Sequence, residues 1–312
     1  MLSNQAGDGK RASLHGHWSS RMAFILAVTG SAVGLGNIWK FPYIAGQNGG
    51  GAFVLVYLIC VVVIGMPVMM SEMLIGRRGR RNPMATMELL GREEGSSPHW
   101  RLVGAMGVFA GILILSYYSV IAGWTLAYIA KSASGVFVGA SAAEVGSQFR
   151  GLKGSWQLVL ICHSLFMALT VFVVARGVEG GLERAVQFMV PALLILMLVL
   201  LGYSINSGYF GQGLAFMFTP DWSKLTWLSV LAALGQAFFT LSIGMGAIMA
   251  YGAYLPEETS IPGASAAVVG ADTAIAILAG LVIFPLVFAN GLDYAEGPGL
   301  LFDTLPLAFG QM

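Results

Sequence analysis

Apolar residues fall in seven long blocks, 21–47, 52–75, 101–130, 156–175, 185–205, 227–255 and 262–289, separated by polar stretches. Each is long enough, at ~20 residues for ~30 Å of hydrocarbon, to predict a membrane-crossing helix rather than a barrel strand. Between them the sequence predicts a polar leader over 1–20, a basic loop from Arg77 to Arg92, a Gly/Ser-rich segment over 131–154 and a short loop over 176–184. A loop over 206–226 and a glycine- and proline-punctuated loop over 290–312 complete the pattern.

Two blocks are interrupted. The first contains Gly30-Ser31-Ala32-Val33-Gly34-Leu35-Gly36-Asn37-Ile38-Trp39-Lys40-Phe41-Pro42, and the sixth contains Ser242-Ile243-Gly244-Met245-Gly246. Glycine inside a helix costs roughly 1 kcal/mol relative to alanine. In water such a stretch would be a loop. At membrane depth it predicts a broken helix whose bare peptide groups face protein, water or a bound ion, because lipid satisfies none of them. A helix-packing face on Gly30-x-x-x-Gly34 is the alternative. A signal-peptide core fits poorly with the polar leader and with Asn37, Trp39 and Lys40. Gly34-x-Gly36 lacks the third glycine and the preceding strand of a dinucleotide fingerprint.

Composition settles the class. Only 10% of residues are charged, against about 25% in soluble domains, so this is an integral membrane protein with lipid as a partner. A net charge of +1 points to no nucleic acid. Cys60 and Cys162 lie in apolar runs and indicate neither a disulfide framework nor a metal site. His99, His163 and the acids show no nucleophile–base or metal spacing, so no enzyme chemistry is expected.

Charge also gives an orientation. Placing the leader with Arg21 at its end, the 77–101 loop and the 176–184 loop on one side collects eleven of the sixteen Lys and Arg. The positive-inside rule then predicts a cytoplasmic amino terminus in the plasma (inner) membrane, with 290–312 outside.

The two breaks are five spans apart, an odd number, so the second half is expected to be inverted relative to the first. Interrupted helices at corresponding places of two halves are the best sequence pointer to a transporter site. Helix amino-terminal ends offer amides to an anion and freed carbonyls offer oxygens to a cation. An amino acid carries both charges.

These residues carry a resemblance. Gly34-Leu35-Gly36-Asn37-Ile38-Trp39-Lys40-Phe41-Pro42-Tyr43, Asn48-Gly49-Gly50-Gly51-Ala52-Phe53, Tyr117-Tyr118, Gly235-Gln236-Ala237-Phe238-Phe239-Thr240-Leu241-Ser242 and Gly297-Pro298-Gly299-Leu300-Leu301-Phe302 are similar to the neurotransmitter:sodium symporter family. The resemblance covers nearly the whole chain. It implies an all-α, LeuT-like inverted-repeat fold, seen here as a first five-helix repeat over 21–205 and the first two helices of a second over 227–289. It also implies sodium-coupled symport of an amino acid by alternating access.

Site residues follow from the resemblance position by position. Ala32, Asn37, Thr240 and Asp272 would hold one Na+, and Gly30 and Val33 half of a second site whose other half lies on an eighth helix. The substrate carboxylate would meet the amides of Leu35 and Gly36 and the Tyr118 hydroxyl. Its ammonium would meet carbonyls of Ala32, Phe239 and Thr240 and the Ser242 hydroxyl. Ile114, Tyr118, Phe239 and Met245 would line the side-chain pocket. Gly34 stands where monoamine carriers place an aspartate, which favours a substrate that brings its own carboxylate. Methionine at 245, where relatives have phenylalanine, suits a large apolar side chain.

Asp272 stands where most relatives have asparagine. With Tyr57 and Gln236 it marks the family's chloride region, but a fixed carboxylate there predicts that chloride is not required. Lys40 matches an outer-gate arginine, with Phe239 beside it, and His15, with Arg11 close by, stands at the inner gate. Glu72 is expected to accept hydrogen bonds from broken-helix amides. Alternatives are a truncated fragment that does not transport, or a membrane amino-acid sensor. The oligomeric state, including a homodimer, stays open.

Overall fold

A computed structural model describes Trp18, residues 20–292, Gly297 and residues 299–311. Lys10, Arg11 and His15 of the leader lie outside the described residues, as does Pro298. The regular elements among the described residues are all helices, with one isolated antiparallel bridge between Gly50 and Pro220.

The first block forms α1 (Arg21–Ala32) and α2 (Gly36–Gln47), bent by 50° at the break. The second is α3 (Gly51–Gly79), followed by α4 (Pro83–Glu93) and α5 (Pro98–Ala133). Next come α6 (Ala142–Gly154), α7 (Trp156–Val174), α8 (Gly180–Ile205) and α9 (Phe210–Phe218). The sixth block is split into α10 (Trp227–Thr240) and α11 (Ala247–Gly252), and the seventh is α12 (Ile261–Ala289). Two short helices follow, α13 (Gly299–Phe302) and α14 (Thr304–Gln311). By length and composition five helices can cross a membrane, and a sixth is the bent α1–α2 pair.

Four stretches outside the expected spans contain helix: α4 in the basic stretch, α6 in 131–154, α9 in 206–226 and α13–α14 in 290–312. Local capping accounts for two of them. Asn82 caps α4 by accepting from the Ala85 amide, with Pro83 opening the helix. Ser141 and Glu144 form a reciprocal capping box at the head of α6.

The bundle is centred on α12, buried at most positions from Ala264 to Val287. Helices α1, α2, α8 and α9 pack against it, while α10 and α11 pack on α3 and α5 packs on α7. Lipid tails are as apolar as leucine, so helix association there depends on close packing. Glycine provides it. A Cβ on Gly76 would lie 2.0 Å from the Met249 carbonyl oxygen, and one on Gly123 would lie 2.8 Å from the His163 nitrogen. Other faces are apolar and exposed: in α7 only Cys162 is buried, and Leu55, Ile59, Val62 and Val63 of α3 are exposed.

Candidate functional site

Each break leaves backbone amides without helical partners, and side chains from other elements take them up. After α1 the backbone of Val33 turns extended, at φ −75° and ψ 118°. The Gly34 amide then donates to Asn37 Oδ1 at 3.0 Å, and the Leu35 amide to Tyr118 Oη at 2.9 Å. In the sixth block Ser242 takes φ +54°, and Gly244 and Gly246 take +85° and +76°. A non-glycine residue in that left-handed region costs about 1–3 kcal/mol. The Gly244 amide donates to Glu72 Oε1 at 2.6 Å, so Glu72 does accept from the broken helix.

The breaks also bond to each other. Ser242 Oγ donates to the Ser31 carbonyl at 3.0 Å, and Gln236 Nε2 donates to the Gly36 carbonyl at 2.9 Å. A Cβ on Gly36 would sit 3.1 Å from the Phe239 ring. Two interruptions some two hundred residues apart in sequence therefore form one polar locus.

Asp272 of α12 closes it. Its side chain is fully buried. Oδ1 accepts from Asn37 Nδ2 at 2.7 Å and Oδ2 from Thr240 Oγ1 at 3.0 Å. Asn37 Nδ2 also reaches Thr240 Oγ1 at 2.9 Å and the Asp272 carbonyl at 3.1 Å. Among the described residues no Lys or Arg forms an ion pair with this carboxylate. Leaving a charge unpaired at such depth is costly. The Asp272 carboxylate and the Thr240 hydroxyl are hard oxygen ligands of the kind that suit an alkali or alkaline-earth cation, whereas Asn37 presents its amide nitrogen here and its Oδ1 accepts from the Gly34 amide. Gly30, Ala32 and Val33 occupy the last turn of α1 and the residue after it, where carbonyls lose their helical partners. A sodium ion fits this oxygen set once the Asn37 amide turns its oxygen toward the Asp272 carboxylate.

Other expected residues lie around this point. A Cβ on Gly34 would come within 2.7 Å of Tyr118 Oη, so glycine is what allows Tyr118 to reach the Leu35 amide. The Lys40 ammonium sits 3.6 Å from the centroid of the Phe239 ring, which places these two side chains in cation–π contact. Ile114 lies four residues before Tyr118 on α5, hence on the same face, and is half-buried. Met245 is half-buried within the break, its backbone 3.1 Å from where a Cβ on Gly107 would be. Gly30 is pressed against α8, with Val186 Cγ1 2.8 Å from its would-be Cβ. Tyr57 and Gln236 are buried, and Tyr57 Oη and Gln236 Oε1 have no hydrogen-bond partner among the described residues.

Several contacts had no sequence signal. Trp18 is buried, donates from Nε1 to the Tyr251 carbonyl at 3.3 Å and packs on the Tyr251 ring. This pins the entry of α1 to the segment after the second break. Trp39 donates to the Gly297 carbonyl at 2.8 Å, tying α2 to the tail. Arg80 is buried and donates to the carbonyls of Leu255 and Ala253, at 2.6 and 3.1 Å.

The model of the sodium:neurotransmitter symporter family matches residues 15–142 and 137–308. The chain belongs to this family. It is 43% identical over 295 residues to the uncharacterized sodium-dependent transporter YhdH of Bacillus subtilis, covering 95% of this chain and 64% of YhdH. It is 34% identical over 301 residues to an uncharacterized sodium-dependent transporter of Haemophilus influenzae, covering 95% of this chain and 66% of that protein. The crystal structure of MhsT in complex with L-phenylalanine superposes with a TM-score of 0.89 at 46% identity, over 96% of this chain and 67% of that one. The chain thus spans about two thirds of the length of these relatives. It is a multi-pass, all-helical protein with the LeuT-like fold, in a family of transporters and not of enzymes.

Proposed function

We propose that this chain supplies the sodium- and amino-acid-binding core of a symporter for a neutral, hydrophobic or aromatic amino acid. Residues 21–205 form the first inverted repeat and 227–289 open the second, with the amino terminus on the cytoplasmic side of the membrane. Sodium is held by the Ala32 carbonyl, Asn37, Thr240 and Asp272, and Gly30 and Val33 offer half of a second site. The substrate carboxylate lies against the amides of Leu35 and Gly36 and the Tyr118 hydroxyl. Its ammonium lies against Ser242 and the carbonyls of Ala32, Phe239 and Thr240, and its side chain reaches Ile114, Phe239 and Met245.

The observation that carries this reading is the buried, unpaired Asp272 at the meeting of two broken helices, held by Asn37 from one and Thr240 from the other. A cation bound there joins α2, α10 and α12. It thereby favours the arrangement that binds substrate, and the substrate favours sodium by the same factor. The relative with L-phenylalanine in its structure supports a large apolar side chain.

The test is uptake into proteoliposomes under an inward sodium gradient. Phenylalanine or another neutral amino acid should accumulate with sodium and fail to do so with choline. Sodium-dependent binding with no accumulation would contradict symport.

A further inference from the structure

We propose that the cavity beside the second break is a binding site for a small lipophilic amine, anchored by Glu72. It is separate from the proposed sodium and amino-acid site. The cavity holds about 370 Å³ and lies between α3, α4 and α5, with Gly244 and Gly246 on its inner wall. Val68, Met87, Val103 and Met249 make its sides apolar. Small-molecule sites have this character: roughly 300–1,000 Å³ of apolar wall with a small number of placed polar groups.

Glu72 is the placed polar group. The residue is 8% exposed; Oε1 accepts from the Gly244 amide and the Met249 amide also bears on the carboxyl, while Oε2 is buried with no hydrogen bond of ordinary geometry among the described residues. No Lys or Arg lines the cavity. A buried acceptor left unmade is costly, more so when it is charged. An ammonium satisfies Oε2 by a charge-assisted bond, and an alkyl or aryl body fills the apolar walls. A neutral alcohol offers the same body with a weaker donor, and a carboxylate is repelled. Because the same side chain holds Gly244, an amine on Oε2 also restrains the break.

Octylamine and octan-1-ol, matched in apolar body, are titrated into the detergent-solubilised full chain without sodium or amino acid, so the outcome is independent of the proposed transport. Hydrogen exchange across 242–252 is the readout. Octylamine should slow exchange saturably, with a half-saturation at least tenfold below that of octanol. Glu72→Gln keeps an acceptor for Gly244 but removes the charge, and should bring octylamine to the octanol value. Val68→Trp fills the cavity while leaving Glu72 in place, and should abolish protection. Equal protection by amine and alcohol in the unaltered chain overturns the proposal, as does an octylamine response that survives Val68→Trp. Full protection before any amine is added, unchanged in Val68→Trp, would mean that protein fills the groove, and overturns it too. Should Glu72→Gln fail to fold, the amine–alcohol comparison and Val68→Trp still decide.

Discussion

Replacing Asp272 by asparagine removes one negative charge while keeping the side chain's shape. In the folded chain the carboxylate receives hydrogen bonds from Asn37 at 2.7 Å and Thr240 at 3.0 Å, with no exposed surface. Bonds to a charged partner contribute about 1.5–3 kcal/mol each, and the neutral amide keeps part of that. Sodium loses more. A cation about 4 Å from the carboxylate, at an effective dielectric of about 20, gains about 4 kcal/mol. At about 1.4 kcal/mol per factor of ten, the substitution should weaken sodium roughly a thousandfold. The assay is sodium titration by thermal stabilisation of the solubilised chain, with choline holding ionic strength and gluconate replacing chloride. The unaltered chain should respond to sodium equally in chloride and gluconate, since its own carboxylate supplies the negative charge. A sodium midpoint in Asp272→Asn within threefold of the unaltered chain would refute the reasoning, as would a chloride requirement before mutation.

Gly34→Ala should destabilise by about 1–3 kcal/mol, because its Cβ meets Tyr118 Oη at 2.7 Å. Tyr118→Phe alone should cost about 1–3 kcal/mol by orphaning the Leu35 amide, and unfolding of the double mutant should cost less than the sum. Gly76→Ala sets a Cβ 2.0 Å from a backbone oxygen that cannot give way. It should lower stability by about 3 kcal/mol or more, read as a lowered melting temperature. At the head of α6, bonds from the Ser141 amide and hydroxyl hold the Glu144 carboxyl below its ordinary 4.5. Its contribution is therefore complete above that value and lost as pH falls through the lower folded one. Amide exchange in 142–154 should quicken only in that acid range, and Glu144→Ala should remove the pH dependence.

The spans and both breaks were legible because long apolar runs and clustered glycines leave few alternatives inside a bilayer. Asn37, Thr240 and Asp272 were placed together by resemblance, and the structure brings them within hydrogen-bonding distance of one another. The helices inside polar stretches were harder. The capping signals of α4 and α6 were present in Asn82-Pro83 and Ser141-x-x-Glu144, but short polar helices have no apolar run to mark them. Helix α9, with its two glycines, offered weaker propensity still. Gln236 stands at a chloride-region position by resemblance, and its amide also donates to the Gly36 carbonyl across the two breaks. That contact, and those of Trp18 and Arg80, join residues far apart in sequence, and neither periodicity nor spacing encodes such pairings.

Equilibrium binding of L-phenylalanine to the solubilised full chain, measured across sodium concentrations with choline as the replacement, tests the joined breaks most directly. The account predicts that phenylalanine binds more tightly as sodium rises, that sodium binds more tightly with phenylalanine by the same factor, and that Asn37→Ala removes the linkage. Equal phenylalanine affinity in sodium and in choline would contradict it.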